Sequence, residues 1–273
     1  MRLMTLSQNR LARSREGLVA VVMFAALLGA VGAAAWLVRE RTIIPAQRGR
    51  EILSEIRRNG LGHYWRAAAF SGYYVGRDMQ GRNIGWMRVE RRRFVAKFAG
   101  ASFASQSTKQ KTEEKWQLDD KLTSGWYEGD KFAMTGSVKT TITLEDGRVS
   151  VTQIKGSAAQ SAEAALPDDY LPEGTLELAA RLVAESGQRT SFEVIFNDIA
   201  IMDGKVNFTR VSMVPLSGRR ARLESTMAPG RLAIIYEFDE QGEIQEQAHP
   251  EEGTRYIRTK EPAEDAQTRR EDI

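Results

Sequence analysis

Groups able to do chemistry are few in this chain, and they are scattered. It has 273 residues, no cysteine and two histidines, His63 and His249. Without thiols there is no disulfide, no thiolate metal site and no cysteine nucleophile. Two imidazoles so far apart in sequence leave a histidine triad or cluster little to draw on. His63, in "GLGHYWR", reads as a surface or packing residue, and His249, in "QAHPEEG", as an exposed turn residue. Carboxylates pair at Asp119-Asp120 and Asp168-Asp169. Hydrolytic pairs face each other across a cleft, whereas adjacent acids in a turn point to solvent, so both read as solvated turns. Asp198 and Asp203 are separated by apolar Ile199 to Met202, which lacks the oxygen-rich alternation of a calcium loop. No serine stands in a Gly-x-Ser-x-Gly elbow. The expectation is a protein that is not an enzyme, with no catalytic residue, no metal ligand and no cofactor.

"GYYVGRDMQGRNIGWMRVERR", Gly72 to Arg92, is the stretch with most apparent purpose. A phosphate-binding loop packs its glycines within a few residues and opens onto a helix. Here Gly72, Gly76, Gly81 and Gly85 are spread across tyrosines and tryptophan, and a strand pattern follows. The polar turn Arg77 to Asn83 between two aromatic-rich runs predicts a β-hairpin. "RVERRRF", Arg88 to Phe94, lies near Trp86 and Phe98 and has the make-up of a nucleic-acid-binding strand. Glu90 interrupts it, and Glu113, Glu114, Asp119 and Asp120 fall on the expected neighbouring strands. Cross-strand charge pairing on a solvated face is the simpler reading. The whole chain balances 39 basic against 36 acidic residues, a net charge of +3, and no nucleic-acid partner is expected.

The elements that must position these residues begin with "GLVAVVMFAALLGAVGAAAWLV", Gly17 to Val38, 22 residues without a charge. A helix of that length rises about 33 Å, one hydrocarbon thickness. The expected order is a short basic tail over 1–16, a transmembrane signal-anchor helix over 17–38 and a helical stalk over 39–62. A β-domain over 63–260 and a disordered tail over 261–273 follow. Ala33-Ala34-Ala35 offers a signal-cleavage site, so a secreted form is the alternative. Arg2, Arg10, Arg13 and Arg15 precede the span, and Arg39, Arg41, Arg48 and Arg50 follow it, a tie for the positive-inside rule. The shortness of the preceding tail favours the long domain outside the cytoplasm, and a topology with the bulk of the chain in the cytoplasm is the alternative.

From Tyr64 onward the period is two. In "AMTGSVKTTITL", Met134, Val138, Ile142 and Leu144 share one face, with Asp146-Gly147 as a tight turn after it. "SFEVIFNDIAIM" turns at Asp203-Gly204 into "KVNFTRVSMV", and "RRARLEST" turns at Pro229-Gly230 into "RLAIIYEF". One helix interrupts, "LPEGTLELAARLVAESG", entered at Pro172 and stopped at Gly187. "GSAAQSAEAALPDD" before it reads as a flexible connection. The fold class is mainly β with one or two helices, a curved antiparallel meander sheet, half-barrel-like around a helix and preceded by one transmembrane helix. Whether the sheet encloses a cavity or a filled core is open from sequence.

The opening hairpin also resembles the start of the β-rich domain found upstream of transglutaminase-like cores in bacterial envelope proteins. The residues that carry the resemblance are Tyr73, Tyr74, Gly76, Gly81, Ile84, Gly85 and Trp86. "LEDGRVSVTQ", "YLPEGTLELAARL" and "YEFDEQGEIQEQ" follow in similar order, so the likeness runs from about Tyr64 to Lys260. No transglutaminase-like core follows, and there is no cysteine to serve one. The resemblance therefore implies an accessory domain without inherited chemistry. Together these readings predict a single-pass, membrane-anchored, non-catalytic envelope protein whose extracytoplasmic domain binds or scaffolds. Its expected partners are the membrane, through Gly17 to Val38, and an envelope protein or a hydrophobic ligand. A half-barrel carrier of lipid is the alternative function, and an uncharacterised hydrolase a remote one.

Overall fold

The computed structural model describes residues 22–23, 26–65, 67–106, 110–133, 136–227 and 230–260. The chain divides into two compact units, Met1–Pro45 and Ala46–Ile273. In the first, helix α1 covers 26–38, with exposed apolar side chains such as Leu27, Val31 and Trp36, and runs into a π-helical turn, Arg39–Ile43. Among the described residues no helix is long and apolar enough to cross a membrane. The span expected at Gly17 to Val38 lies partly outside the described residues, as do the tails 1–16 and 261–273.

The residues expected as a stalk form α2 (Ile44–Asn59) and the short α3 (Leu61–Tyr64). Leu53 and Ile56 of α2 are fully buried, so this helix belongs to the core of the second unit. After it come β1 (Ala69–Asp78), β2 (Asn83–Arg93), β3 (Lys97–Gln106), β4 (Gln110–Asp119) and β5 (Gly125–Ala133). Next are β6 (Gly136–Glu145), β7 (Arg148–Lys155) and β8 (Ala158–Ala165), then α4 (Leu176–Ser186) and β9 (Thr190–Val194). The chain ends in β10 (Ile201–Met202), β11 (Lys205–Val206), β12 (Thr209–Leu216), β13 (Arg220–Met227), β14 (Gly230–Phe238), β15 (Ile244–His249) and β16 (Thr254–Thr259).

Fourteen strands form one sheet, in the order β8-β7-β6-β5-β4-β3-β2-β1-β16-β15-β14-β13-β12-β9. All its neighbours are antiparallel, so the protein is mainly β, as the period-two pattern predicts. Two meanders meet in the middle, where β1 pairs β16. The segment holding α4 is the one crossover, carrying the chain from edge β8 to edge β9. Its length bends the sheet. β8 ends at Ala165, yet Tyr170 already bridges Glu193 of β9. Five residues reach at most about 18 Å, whereas a flat sheet of this width would hold its edges roughly 60 Å apart. The sheet must therefore curl, although no ladder joins β8 to β9 among the described residues. Strap residues 169–171 dock on β9 instead: Glu193 N–H donates to the Asp169 carbonyl at 2.9 Å, and Leu171 N–H to that of Glu193 at 2.8 Å.

Inside the curl, β3 to β7 stack their inward residues in cross-strand rows. Phe98, Leu118, Gly125, Leu144 and Val149 are in register, and so are Gly100, Trp116, Tyr127, Ile142 and Val151. Trp65 adds to the aromatic layer, 5.6 Å from Phe98 and 5.7 Å from Trp116, centroid to centroid. α4 closes the core with Leu178, Ala179, Ala180 and Val183 buried, and Gly187 stops it at φ +66°, a conformation that costs glycine little.

Several expectations are corrected. "GSAAQSAEAALPDD" is no loose connection: it supplies edge strand β8, because the β7 ladder recruits it. "SFEVIFNDIAIM" breaks after Val194 and passes through a 3-10 turn, Asn197–Ile199, before the small β10–β11 hairpin. Asp169 is buried, paired with Arg210 at 2.5 Å. Arg91 is not solvated: it is buried, pairs with Glu243 at 2.5 Å and lies over the rings of Trp65 and Phe70. Arg88 pairs along its own strand with Glu90. Met134 and Pro229 lie outside the described residues.

Candidate functional site

The third row across β3 to β7 is polar. Ser102, Glu114, Gly129, Thr140 and Gln153 stand in register, beside the row that holds Trp116 and Tyr127. Asn197 lies over this row. Its backbone carbonyl accepts from Thr140 Oγ1 and Gln153 Nε2, both at 2.7 Å. Gly129 is glycine because Asn197 needs the room: a Cβ there would stand 1.8 Å from Asn197 Nδ2. Strand register thus fixes the 3-10 turn, and the turn holds Asp198 beside Lys131, at 3.3 Å.

A second 3-10 turn, Glu173–Thr175, leads into α4 and brings Glu173 to the same place. Thr175 Oγ1 donates to the Pro172 carbonyl at 2.7 Å and pins that turn. Glu114 accepts from Ser102 Oγ at 2.8 Å. Glu173 lies near the Asn197 backbone N–H, and its Oε2 has no partner. The buried Tyr127 hydroxyl lies near both carboxyls but makes no well-formed hydrogen bond to either. Asn197 Oδ1 is likewise unpartnered.

Ser102, Glu114, Lys131, Glu173, Asn197 and Asp198 line one cavity of about 360 Å³, and Tyr127 stands behind this lining. Residues of β2 to β5, β14 to β16 and the start of α4 all reach it. One wall is apolar, with Met87, Val89, Ala104, Leu232, Ile234 and Ile244. Glu114, Glu173, Glu177, Asp198 and Glu252 supply the carboxyls, against Lys131 and His249. The cavity is accessible from outside, since Asp198 on its rim keeps 43% side-chain exposure.

Burial sets the acidities. It raises the Glu114 carboxyl, and the Asp198 charge adds to it against Ser102, Tyr127 and Lys131. Glu173 stands well above the usual carboxyl range, first through burial and then through the charges of Glu114 and Asp198. Burial likewise raises Glu177, though Arg91 and Arg181 pull it back. Tyr127 is raised by burial and by both neighbouring glutamates. The arrangement can hold protons on carboxyls at a pH where exposed glutamates are ionised, and it offers more acceptors than donors.

His249 is expected in an exposed turn and is not there. It is half-buried at the end of β15, shares a 2.9 Å contact with Gln247 and meets Tyr256 edge-on, and burial lowers its pKa. His63 is exposed, edge-on to Tyr64. Asp119 caps its own turn through Thr123 and Ser124, and Asp120 accepts from Gly62 N–H.

The motif residues of the opening hairpin build the sheet and do not line the cavity. Tyr74 is buried and donates its hydroxyl to the Ile244 carbonyl at 3.2 Å, while Arg88 lies over the Tyr73 ring. Gly76 faces Gly85 across the pair, and Trp86 faces Val75. Gly81 sits in the turn, its N–H on the Asp78 carbonyl, and Ile84 is half-buried. The residues missed by sequence reasoning are Glu114, Tyr127, Glu173 and Asn197. One signal existed: in "TEEKWQL" Glu114 alternates with Trp116 and Leu118, which places it on the inward face.

No family model and no curated protein matches the chain. A solved structure does. It is the crystal structure of a beta-barrel-like protein of the domain of unknown function DUF1849 from Brucella abortus. The two share 11% identity with a TM-score of 0.47, over 69% of this chain and 94% of that one.

Proposed function

We propose that this chain is a membrane-anchored, non-catalytic binding module of the cell envelope, and that its β-domain takes a small lipophilic ligand into the concave side of the sheet. In this reading the sheet is a half-barrel wrapped around the entry to α4, and Gly17 to Val38 tethers it. The carrying observation is the cavity of about 360 Å³ with one apolar wall and one acidic end. Ligand sites generally measure about 300–1,000 Å³ and combine apolar lining with a few convergent polar groups. Support for the tether comes from the uncharged run, and support for an envelope setting from the resemblance of the opening hairpin.

Uptake of the fluorescent apolar probe N-phenyl-1-naphthylamine tests the reading. Full-length protein, held in a detergent-free peptide scaffold, should enhance its emission, and octanol should displace it. Substituting Ala104→Trp, on the inward face of β3, fills the cavity and should abolish the displaceable signal. No uptake by the native chain, or equal uptake by the filled variant, overturns the proposal.

A further inference from the structure

The cavity has an apolar wall and a polar end, and the polar end has a sign. Besides the acidic cluster, the cavity lining holds an unpartnered side-chain atom on a deeply buried residue. Asn197 is 7% exposed, and its Oδ1 lacks a partner. Glu173 Oε2, on a less buried residue, lacks one too. Asn197 Oδ1 only accepts, and Glu173 Oε2 accepts once its carboxyl is ionised. Buried polar groups left unpaired are costly, and a donor arriving from a ligand would satisfy both. A carboxylate or phosphate ligand would meet Glu114, Glu173 and Asp198 as repulsion.

We propose, resting on the binding-module reading above, that the cavity takes a cationic amphiphile, a primary or secondary alkylammonium. Its nitrogen sits between Glu114, Glu173 and Asn197, and its hydrocarbon body lies along Met87, Val89, Leu232 and Ile234. The ammonium N–H groups donate to Glu173 Oε2 and Asn197 Oδ1, and its charge is met by the paired carboxyls. Lys131 offsets the Glu114 charge only in part, because it is also engaged with Asp198. The Trp116 and Tyr236 rings flank the lining, and aromatic faces also favour a cation. The titratable groups facing the pair are Tyr127 and Lys131 on β5, Asp198 on its turn, Glu177 on α4 and Tyr236 on β14. Binding an ammonium stabilises the ionised carboxyls, so protons leave as it binds, and affinity falls as the medium is acidified.

The experiment titrates the full chain, in the same detergent-free scaffold, with octylamine, octanol and octanoate, equal in hydrocarbon length. Octylamine should bind about tenfold tighter than octanol, a difference that charge-assisted hydrogen bonds supply, and octanoate weakest. Glu114→Gln with Glu173→Gln should erase the preference for the amine while octanol binding persists. Should that variant fail to fold, calorimetry of the native chain in two buffers of different ionisation heat decides. Net proton release with octylamine supports the assignment, and none overturns it. Octanol or octanoate binding as tightly as the amine overturns the cationic assignment and leaves the cavity reading standing. If none of the three binds, both fall. A preference for the amine that survives both substitutions overturns the placement of the nitrogen.

Discussion

At the residue scale the unusual feature is a pair of carboxyls, Glu114 and Glu173, kept where ionisation is costly. Burial raises both, the Asp198 charge adds to each, and the Glu114 charge raises Glu173 further. A folded-state pKa above the unfolded one means the fold holds these protons more tightly than the open chain does. The stability they contribute is full below the ordinary glutamate value of 4.5 and is lost as pH rises through the raised values. Urea midpoints of the native chain should therefore fall between mildly acidic and neutral pH. Those of Glu114→Gln with Glu173→Gln should stay flatter and lie higher at neutral pH, by about 1–3 kcal/mol, the usual penalty of an under-bonded buried polar group. Parallel profiles for the two proteins would show that neither carboxyl resists ionisation. The pair was only half legible in sequence. Alternation with Trp116 turns Glu114 inward, but its charge fits a solvated face equally well, and nothing in "LPEGT" marks Glu173 as its partner. Asn197 comes over the row because of strand register, which no local pattern encodes.

At the element scale, the strap between β8 and α4 is where the curl is fastened. Arg210 of β12 forks to Asp169 of the strap at 2.5 Å and to Glu193 of β9 at 2.6 Å. Asp169 is buried and Arg210 is 44% exposed. Breaking a fully buried pair costs about 3–5 kcal/mol, and the exposure of Arg210 reduces this to about 2 kcal/mol for Arg210→Ala. The loss should be local. Hydrogen exchange should quicken at the amides of Leu171 and Glu193, which make the strap bonds, while the ladder of β4 to β6 keeps its protection. A uniform loss across the sheet would mean that the strap is no separate fastening. Elements with strong local chemistry were readable: the hairpin at Asp146-Gly147, and the helix framed by Pro172 and Gly187. β8 was not, because "AAQSAEAA" lacks the branched and aromatic residues that mark a strand and owes its form to the β7 edge. The break after Val194 was hidden for the opposite reason. Phe196, Ala200 and Ile201 are buried, so the turn looks as apolar as a strand.

For the whole molecule, pairing of β1 with β16 joins the two meanders, and this long-range contact was invisible to local pattern. It bears on the orientation of the chain through the residues before it. Four arginines precede the uncharged run and four follow it closely, which leaves the positive-inside rule undecided. The two sets differ in kind once the fold is known. Arg48 and Arg50 lie on α2, in the compact unit that starts at Ala46, and Arg48 donates to the Arg189 carbonyl at 3.5 Å. Residues committed to a folded domain travel with it, and long domains cross largely regardless of charge. That leaves Arg39 and Arg41 against Arg2, Arg10, Arg13 and Arg15, a balance that, under the proposed anchoring, predicts a cytoplasmic leading tail. Alkaline phosphatase fused after Ile273 should therefore be active in intact cells, and a cytoplasm-active reporter at the same position silent. Exchanging Arg10, Arg13 and Arg15 for glutamine should weaken that asymmetry, whereas the same change at Arg48 and Arg50 should leave it intact. Activity of the cytoplasmic reporter alone would place the β-domain inside the cell, and with it the cavity and whatever ligand it meets.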